Sequence, residues 1–198
     1  MKYDTDYFIP INNTKNVRNC QDMNARIKKL MFSAMYIALV VVLARPGIGT
    51  FPIGRDAKIT LQNLPIFVSA ITLGPVYGEL IAFCGLLLDQ IISWGFMPTT
   101  FLWVLPQTIV AVICGILFER GIVKVNNTIR FWCCIISLNV LITLLNTIVQ
   151  IIDYYITGYT HPISVLMQLP MRLIMSILTG IVFGALIPVI IDAIKKIH

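Results

Sequence analysis

Four long apolar stretches, residues 76–95, 99–118, 131–152 and 163–191, dictate the solvent in which most of this chain must fold. Each supplies the roughly 20 residues that a helix needs to cross a bilayer core. Only 12% of the 198 residues are charged, about half the share of a soluble domain. The chain therefore reads as an integral membrane protein. Two shorter segments extend the series. Residues 28–44 are opened by Lys28 and Lys29, whose long side chains can snorkel and lengthen the span. Residues 59–73 contain Gln62, Asn63 and Pro65, so this segment is expected to be short, tilted or partly re-entrant. The expected fold is an all-α bundle of six transmembrane helices, formed by residues 27–198. Residues 1–26 carry Asp4, Asp6 and Asp22 and no apolar core of a signal peptide, and read as a cytoplasmic N-terminal segment. No room remains for a soluble domain, so any ATPase must come from a partner.

The distribution of cations orients these helices. If successive connections alternate sides, one side collects Lys2, Lys15, Arg18, Arg26, Lys28, Lys29, Arg120, Lys124, Arg130, Lys195 and Lys196. The opposite side receives only Arg45, Arg55 and Lys58. By the positive-inside rule the first side is cytoplasmic, and both termini are assigned to it. The net charge of +6 thus serves orientation, and nucleic-acid binding is not expected. The five cysteines lie mostly in apolar runs without paired spacing, and read as small buried residues.

Polar side chains inside the spans form an ordered set. Asn139, Thr143, Asn146 and Gln150 step by four, three and four, which places them on one helical face. Gln168, Arg172, Ser176 and Thr179 step by four, four and three, and Trp103 and Gln107 are four apart. With the orientation above, Trp103, Gln107, Asn146, Gln150, Gln168 and Arg172 fall within roughly 15 Å of the outer helix ends at 1.5 Å per residue. Asp89 and Trp94 join that layer. Such a set can stack a ring on tryptophan, hydrogen-bond it through amides and hold a carboxylate by arginine or lysine. Simpler readings stand beside this one. Amides and hydroxyls glue helices together, tryptophans form interfacial belts, and Asp89 can pair with Arg172 for structural reasons alone.

Small residues mark candidate close approaches: Ala34 with Ala38, Gly74 with Gly78, and Gly180 with Gly184. Each pair fits packing within the chain, and Ala34 with Ala38 also fits a contact with another subunit. No nucleotide-binding, hydrolase or metal-ligand motif occurs, and no cofactor is expected. Two rival classes stay open: a small membrane enzyme acting on lipid headgroups with Asp89 and Asp153 as acid or base, and a ligand-free scaffold.

The stretch ITLQNLPIFVSAITLGPVYGELIAFCGLLLDQI, residues 59–91, together with Ala34 and Ala38, the long first outer loop and Arg172 in LPMRLIMSI, resembles the substrate-binding S components of energy-coupling factor (ECF) vitamin transporters, the folate-type branch in particular. The resemblance implies a multi-pass protein of the plasma membrane that captures one vitamin or precursor from outside, with the first loop as a lid. It implies that Ala34 and Ala38 dock on a transmembrane coupling subunit attached to two ATPase subunits, and that Arg55, Lys58 and Arg172 anchor the substrate. FLWVLPQT departs from the folate branch, so a queuosine precursor, pantothenate and cobalamin stay open as substrates. Arg55 and Lys58, in FPIGRDAKITL, stand out as cations facing away from the cytoplasm, although Asp56 can also neutralise either one within a solvated loop.

Overall fold

The computed structural model describes residues 13–53, 57–125, 128–158 and 162–197. They form six helices and one hairpin: α1 (Asn13–Leu43), β1 (Thr50–Ile53), β2 (Ala57–Thr60), α2 (Asn63–Leu73), α3 (Pro75–Trp94), α4 (Thr100–Glu119), α5 (Thr128–Thr157) and α6 (Pro162–Ile197). The chain divides into two compact units, Met1–Phe32 and Ser33–His198. The described part of the first is the opening of α1, with Leu30 and Met31 exposed. The second carries the remaining elements.

Helices α3 to α6 each contain a span long and apolar enough to cross a membrane. The eleven residues of α2 reach only about 16 Å, roughly half a hydrocarbon core. This helix survives because protein surrounds it: Pro65, Ile66, Phe67, Val68, Ser69 and Ala70 are all buried. The second helix is thus short, as Gln62, Asn63 and Pro65 led one to expect, and among the described residues four of the six helices contain a candidate span. The all-α expectation is corrected. Thr50–Ile53 and Ala57–Thr60 form an antiparallel ladder in which Thr50 faces Thr60 and Pro52 faces Lys58, so Ile59 and Thr60 belong to β2 and not to the second helix.

Because lipid tails are as apolar as leucine, helix association here rests on close packing more than on water exclusion. Glycines supply that closeness. The α2–α3 turn uses Gly74 at φ 93°, followed by Pro75 at the first turn of α3, where its missing N–H costs nothing. A Cβ on Gly78 would stand 2.8 Å from Ala70, and one on Gly115 would stand 2.4 Å from the Pro75 backbone, so α2, α3 and α4 touch almost backbone to backbone. Gly180 and Gly184 do the same for α6 against α5, with Ile136 and the Trp132 ring as their neighbours at 3.0 and 2.7 Å. Both glycine pairs therefore work within the chain. Edge-to-face contacts of Phe67 with Phe183 and of Phe118 with Phe131 join α2 to α6 and α4 to α5.

The Gly184 contact gives a direct test of this packing. Gly184→Leu is expected to destabilise the protein by about 1–3 kcal/mol, since the Trp132 ring must move to admit the side chain. Thermal unfolding in detergent checks it, and an unchanged melting temperature would contradict the packing of α6 on α5.

Candidate functional site

The two polar stripes divide once their hydrogen bonds are followed. Asn139 donates from Nδ2 to the Ile135 carbonyl at 3.0 Å, Thr143 donates to the Asn139 carbonyl at 3.2 Å, and Thr179 donates to the Met175 carbonyl at 2.8 Å. These side chains bond back to their own helices, one turn earlier, and need no ligand. The outer halves of the stripes behave differently. Arg172 on α6 donates from Nη1 to Gln150 Oε1 on α5, so the two stripes meet at that point.

The same helices and α4 also carry buried polar atoms without a described partner. Asn146 Oδ1, Asp153 Oδ1, Gln107 Oε1 and Ser176 Oγ are buried and have no hydrogen-bond partner among the described residues. Helical spacing groups them. Asn146, Gln150 and Asp153 stand at i, i+4 and i+7 on α5, and Arg172 and Ser176 at i and i+4 on α6. Gln107 lies on α4, which packs against both α3 and α5. A buried polar atom left unpaired costs free energy, and native structures rarely accept four of them without a reason.

The charge is uncompensated too. Asp89 pairs with Arg45, and no carboxylate among the described residues pairs with Arg172. A half-buried guanidinium whose described side-chain partner is a neutral amide suits an anionic group, which it can hold in a two-pronged geometry. The acceptor oxygens call for N–H or O–H donors. Prolines sharpen the local polarity: Pro106 and Pro170 lack an N–H, leaving the carbonyls of Leu102 and Leu166 without their intrahelical donor.

Asp89 belongs to a second cluster. Its carboxylate accepts from Arg45 Nη2 at 3.0 Å through Oδ1, from Gln62 Nε2 at 3.0 Å through Oδ2, and from the Ser93 hydroxyl at 3.3 Å. The pairing of Asp89 with Arg172 considered from the sequence is not formed. Arg45 takes that place, from a position 44 residues earlier in the chain.

The other sequence candidates scatter. Trp94 ends α3 with 70% of its surface exposed, whereas Trp103 is half-buried on α4 and Gln168 half-buried one turn before Arg172. Lys58 sits on β2, and β2 packs against α6. Arg55 and Asp56 lie outside the described residues. Ala34 and Ala38 are exposed on α1, on the same side as Met35, Leu39 and Val42, while Ser33, Tyr36 and Val40 turn inward. Sequence reasoning assigned no binding role to Ser176, Asp153 or Arg45. For Asp153 the signal was present, because it extends the Asn146 and Gln150 stripe by three residues.

Comparison with known proteins gives this arrangement a context. A family model described as "ECF transporter, substrate-specific component" matches residues 28–195. A search of curated proteins finds no match. Among solved structures, the chain is similar to the S component for biotin from an ECF-type ABC transporter, at 23% identity and a TM-score of 0.54. The superposition covers 82% of this chain and 92% of the other, a likeness of fold.

Proposed function

This chain belongs to the family of ECF transporter substrate-specific components, and we propose that it captures from outside a vitamin or vitamin precursor bearing a carboxylate, with folate or a folate-like compound first among them. Members of this family are substrate-binding transporter subunits and not enzymes, and they work with the subunits of an ECF module. The chain is accordingly a multi-pass plasma-membrane protein.

One observation supports the substrate reading: an arginine with no acidic partner among the described residues, on helices that also carry buried acceptor oxygens without a described partner. In the proposed complex Arg172 takes the carboxylate, and Gln107, Asn146 and Asp153 accept from N–H donors on a ring. A 2-amino-4-oxo pteridine with a glutamate tail offers both features. Trp103 and Gln168 lie on α4 and α6, and Lys58 on β2 and Arg55 add positive charge for the substrate. Biotin is the second reading, because its ureido N–H groups and carboxylate present the same chemistry and the similar solved structure is an S component for biotin.

Tryptophan quenching with the purified protein separates these readings. Folate is expected to quench saturably, with pantothenate, cobalamin and queuine weaker; preferential binding of biotin would replace folate by the second reading. Asn146→Leu and Asp153→Asn are each expected to weaken binding by roughly 10-fold, the scale of one hydrogen bond to a desolvated partner. If neither changes affinity, these oxygens do not face the substrate.

The remaining assignments follow from the same reading. The protein carries no cofactor of its own, and ATP is used by two ATPase subunits joined to it through a transmembrane coupling subunit. That subunit docks on the exposed Ala34 and Ala38 face of α1. Both termini are placed in the cytoplasm on the cation bias. Green fluorescent protein fused after His198 is expected to fluoresce, and alkaline phosphatase fused there to stay inactive; the reverse would invert the topology.

A further inference from the structure

The connection between α3 and α4 has the polarity of a water-facing loop reversed. Residues 95–99 join the two helices, and no Asp, Glu, Lys or Arg occurs in residues 90–118. The connection at the other end of α4 differs, since it carries Arg120 and Lys124, both exposed. Around residues 95–99 the apolar side chains turn away from the protein: Trp94, Phe96 and Met97 are exposed, Phe96 to 69%. The hydroxyl-bearing Thr99 and Thr100 are only 2% exposed. Phe96 meets the Phe101 ring edge to face at 6.0 Å, which carries the aromatic surface onto α4.

The backbone of this connection is bonded within itself. Met97 donates its N–H to the Thr100 hydroxyl at 2.9 Å, and Thr100 returns its N–H to the Met97 carbonyl at 3.0 Å. Gly95, at φ 76°, donates to the Ile91 carbonyl at 3.0 Å and closes α3. Pro98 has no N–H to satisfy. A chain that meets lipid must pair its backbone groups internally, whereas one in water need not. The apolar surface also continues past both helix ends. Ile91 and Ile92 are exposed in the last turn of α3, and Phe101 and Leu105 in the first turns of α4, on helices that both contain candidate spans.

We propose that this connection lies in the interfacial layer of one bilayer leaflet and anchors the joined ends of α3 and α4 there, with lipid as its occupant. Tryptophan suits that depth, because its ring is apolar and its one N–H can reach the headgroups. Continuity with the exposed apolar sides of two spans favours lipid over a docked protein, whose footprint would end in a polar rim. Trp94, a substrate candidate by sequence, is on this reading a lipid contact.

The test needs no ligand. In phosphatidylcholine vesicles, the emission lost on Trp94→Phe isolates this residue from the other tryptophans. That emission is expected to be quenched at least about threefold more by lipid brominated near the headgroup end of its acyl chains than by iodide on both sides of the membrane, as for a ring roughly 5–10 Å into the headgroup and acyl boundary. Quenching by iodide equal to or stronger than that by brominated lipid would put the connection in water and overturn the proposal. Resistance to both quenchers would overturn it too, and would assign the patch to a second copy of the chain or another protein. Wild-type protein supplies an independent arm. In vesicles doped with a phospholipid that carries a diazirine high on its acyl chain, photolabel is expected on residues 94–97 as well as on the exposed sides of α3 and α4. Label on the two helices but not on residues 94–97 would contradict the anchor.

Discussion

Arg172→Leu is expected to weaken substrate binding by roughly 10- to 150-fold, the range for losing one charged hydrogen bond, and to leave the melting temperature of the ligand-free protein unchanged or higher. The two outcomes come from one cause. A guanidinium inside a span is costly without an anion beside it, and the described residues give Arg172 a neutral amide and no carboxylate. Replacing it removes that cost along with the contact to substrate. A functional group that strains its own fold shows this opposition between activity and stability. Arg172→Lys keeps the charge but loses the planar fork, and is expected to bind with intermediate affinity. If Arg172→Leu lowers the melting temperature and spares binding, the residue is a structural tie between α5 and α6. Titration calorimetry and thermal unfolding on the same preparations decide between these outcomes.

The second large effect concerns transport and leaves binding alone. Ala38→Trp is expected to reduce uptake at least about tenfold in cells while changing substrate affinity less than about twofold, since a bulky ring forbids the close helix approach that small residues permit. The geometry of α1 supports the separation. Its inner side is filled, with Tyr36 and Val40 buried and Val40 only 2.9 Å from where a Cβ on Gly85 would stand. Its outer side exposes Ala34, Met35, Ala38, Leu39 and Val42, so a tryptophan at 38 stands on the side away from the buried Tyr36 and Val40. Uptake assays paired with binding to the purified subunit check this. Normal transport by Ala38→Trp would move the docking surface elsewhere.

Which features were legible in the sequence follows from the range of the interactions that create them. The long helices announced themselves, because twenty apolar residues in a row are a local property. Gln150 and Arg172 were found by helical spacing and by the rarity of a guanidinium in a span, and the structure joins them. Asn139, Thr143 and Thr179 share the same spacing yet bond to their own helices, a distinction that sequence periodicity cannot draw. The hairpin was missed because Ile59 and Thr60 continue the apolar character of the segment that follows, and a four-residue strand leaves little alternation to read. The partner of Asp89 was hidden for a different reason. Its three donors come from α3 itself, from the end of α1 and from the entry to α2, a convergence that only the folded chain creates.

The short α2 illustrates the same limit from the opposite direction. Its Gln62, Asn63 and Pro65 signalled an irregular helix, but only the glycine contacts explain why an eleven-residue helix is tolerated. Gly78 lets α3 close over Ala70, and Gly115 lets α4 close over Pro75, so the shortened helix is walled in by neighbours and not by lipid.

Extraction of ligand from the purified protein, followed by mass spectrometry, tests the central claim most directly. Wild-type protein from cells grown with a vitamin mixture is expected to carry one carboxylate-bearing vitamin at near-equal molar ratio, and Arg172→Leu prepared in parallel is expected to carry almost none. Equal amounts of that vitamin in both preparations, or none in the wild type, would contradict the assignment of the Arg172 cluster as the substrate site.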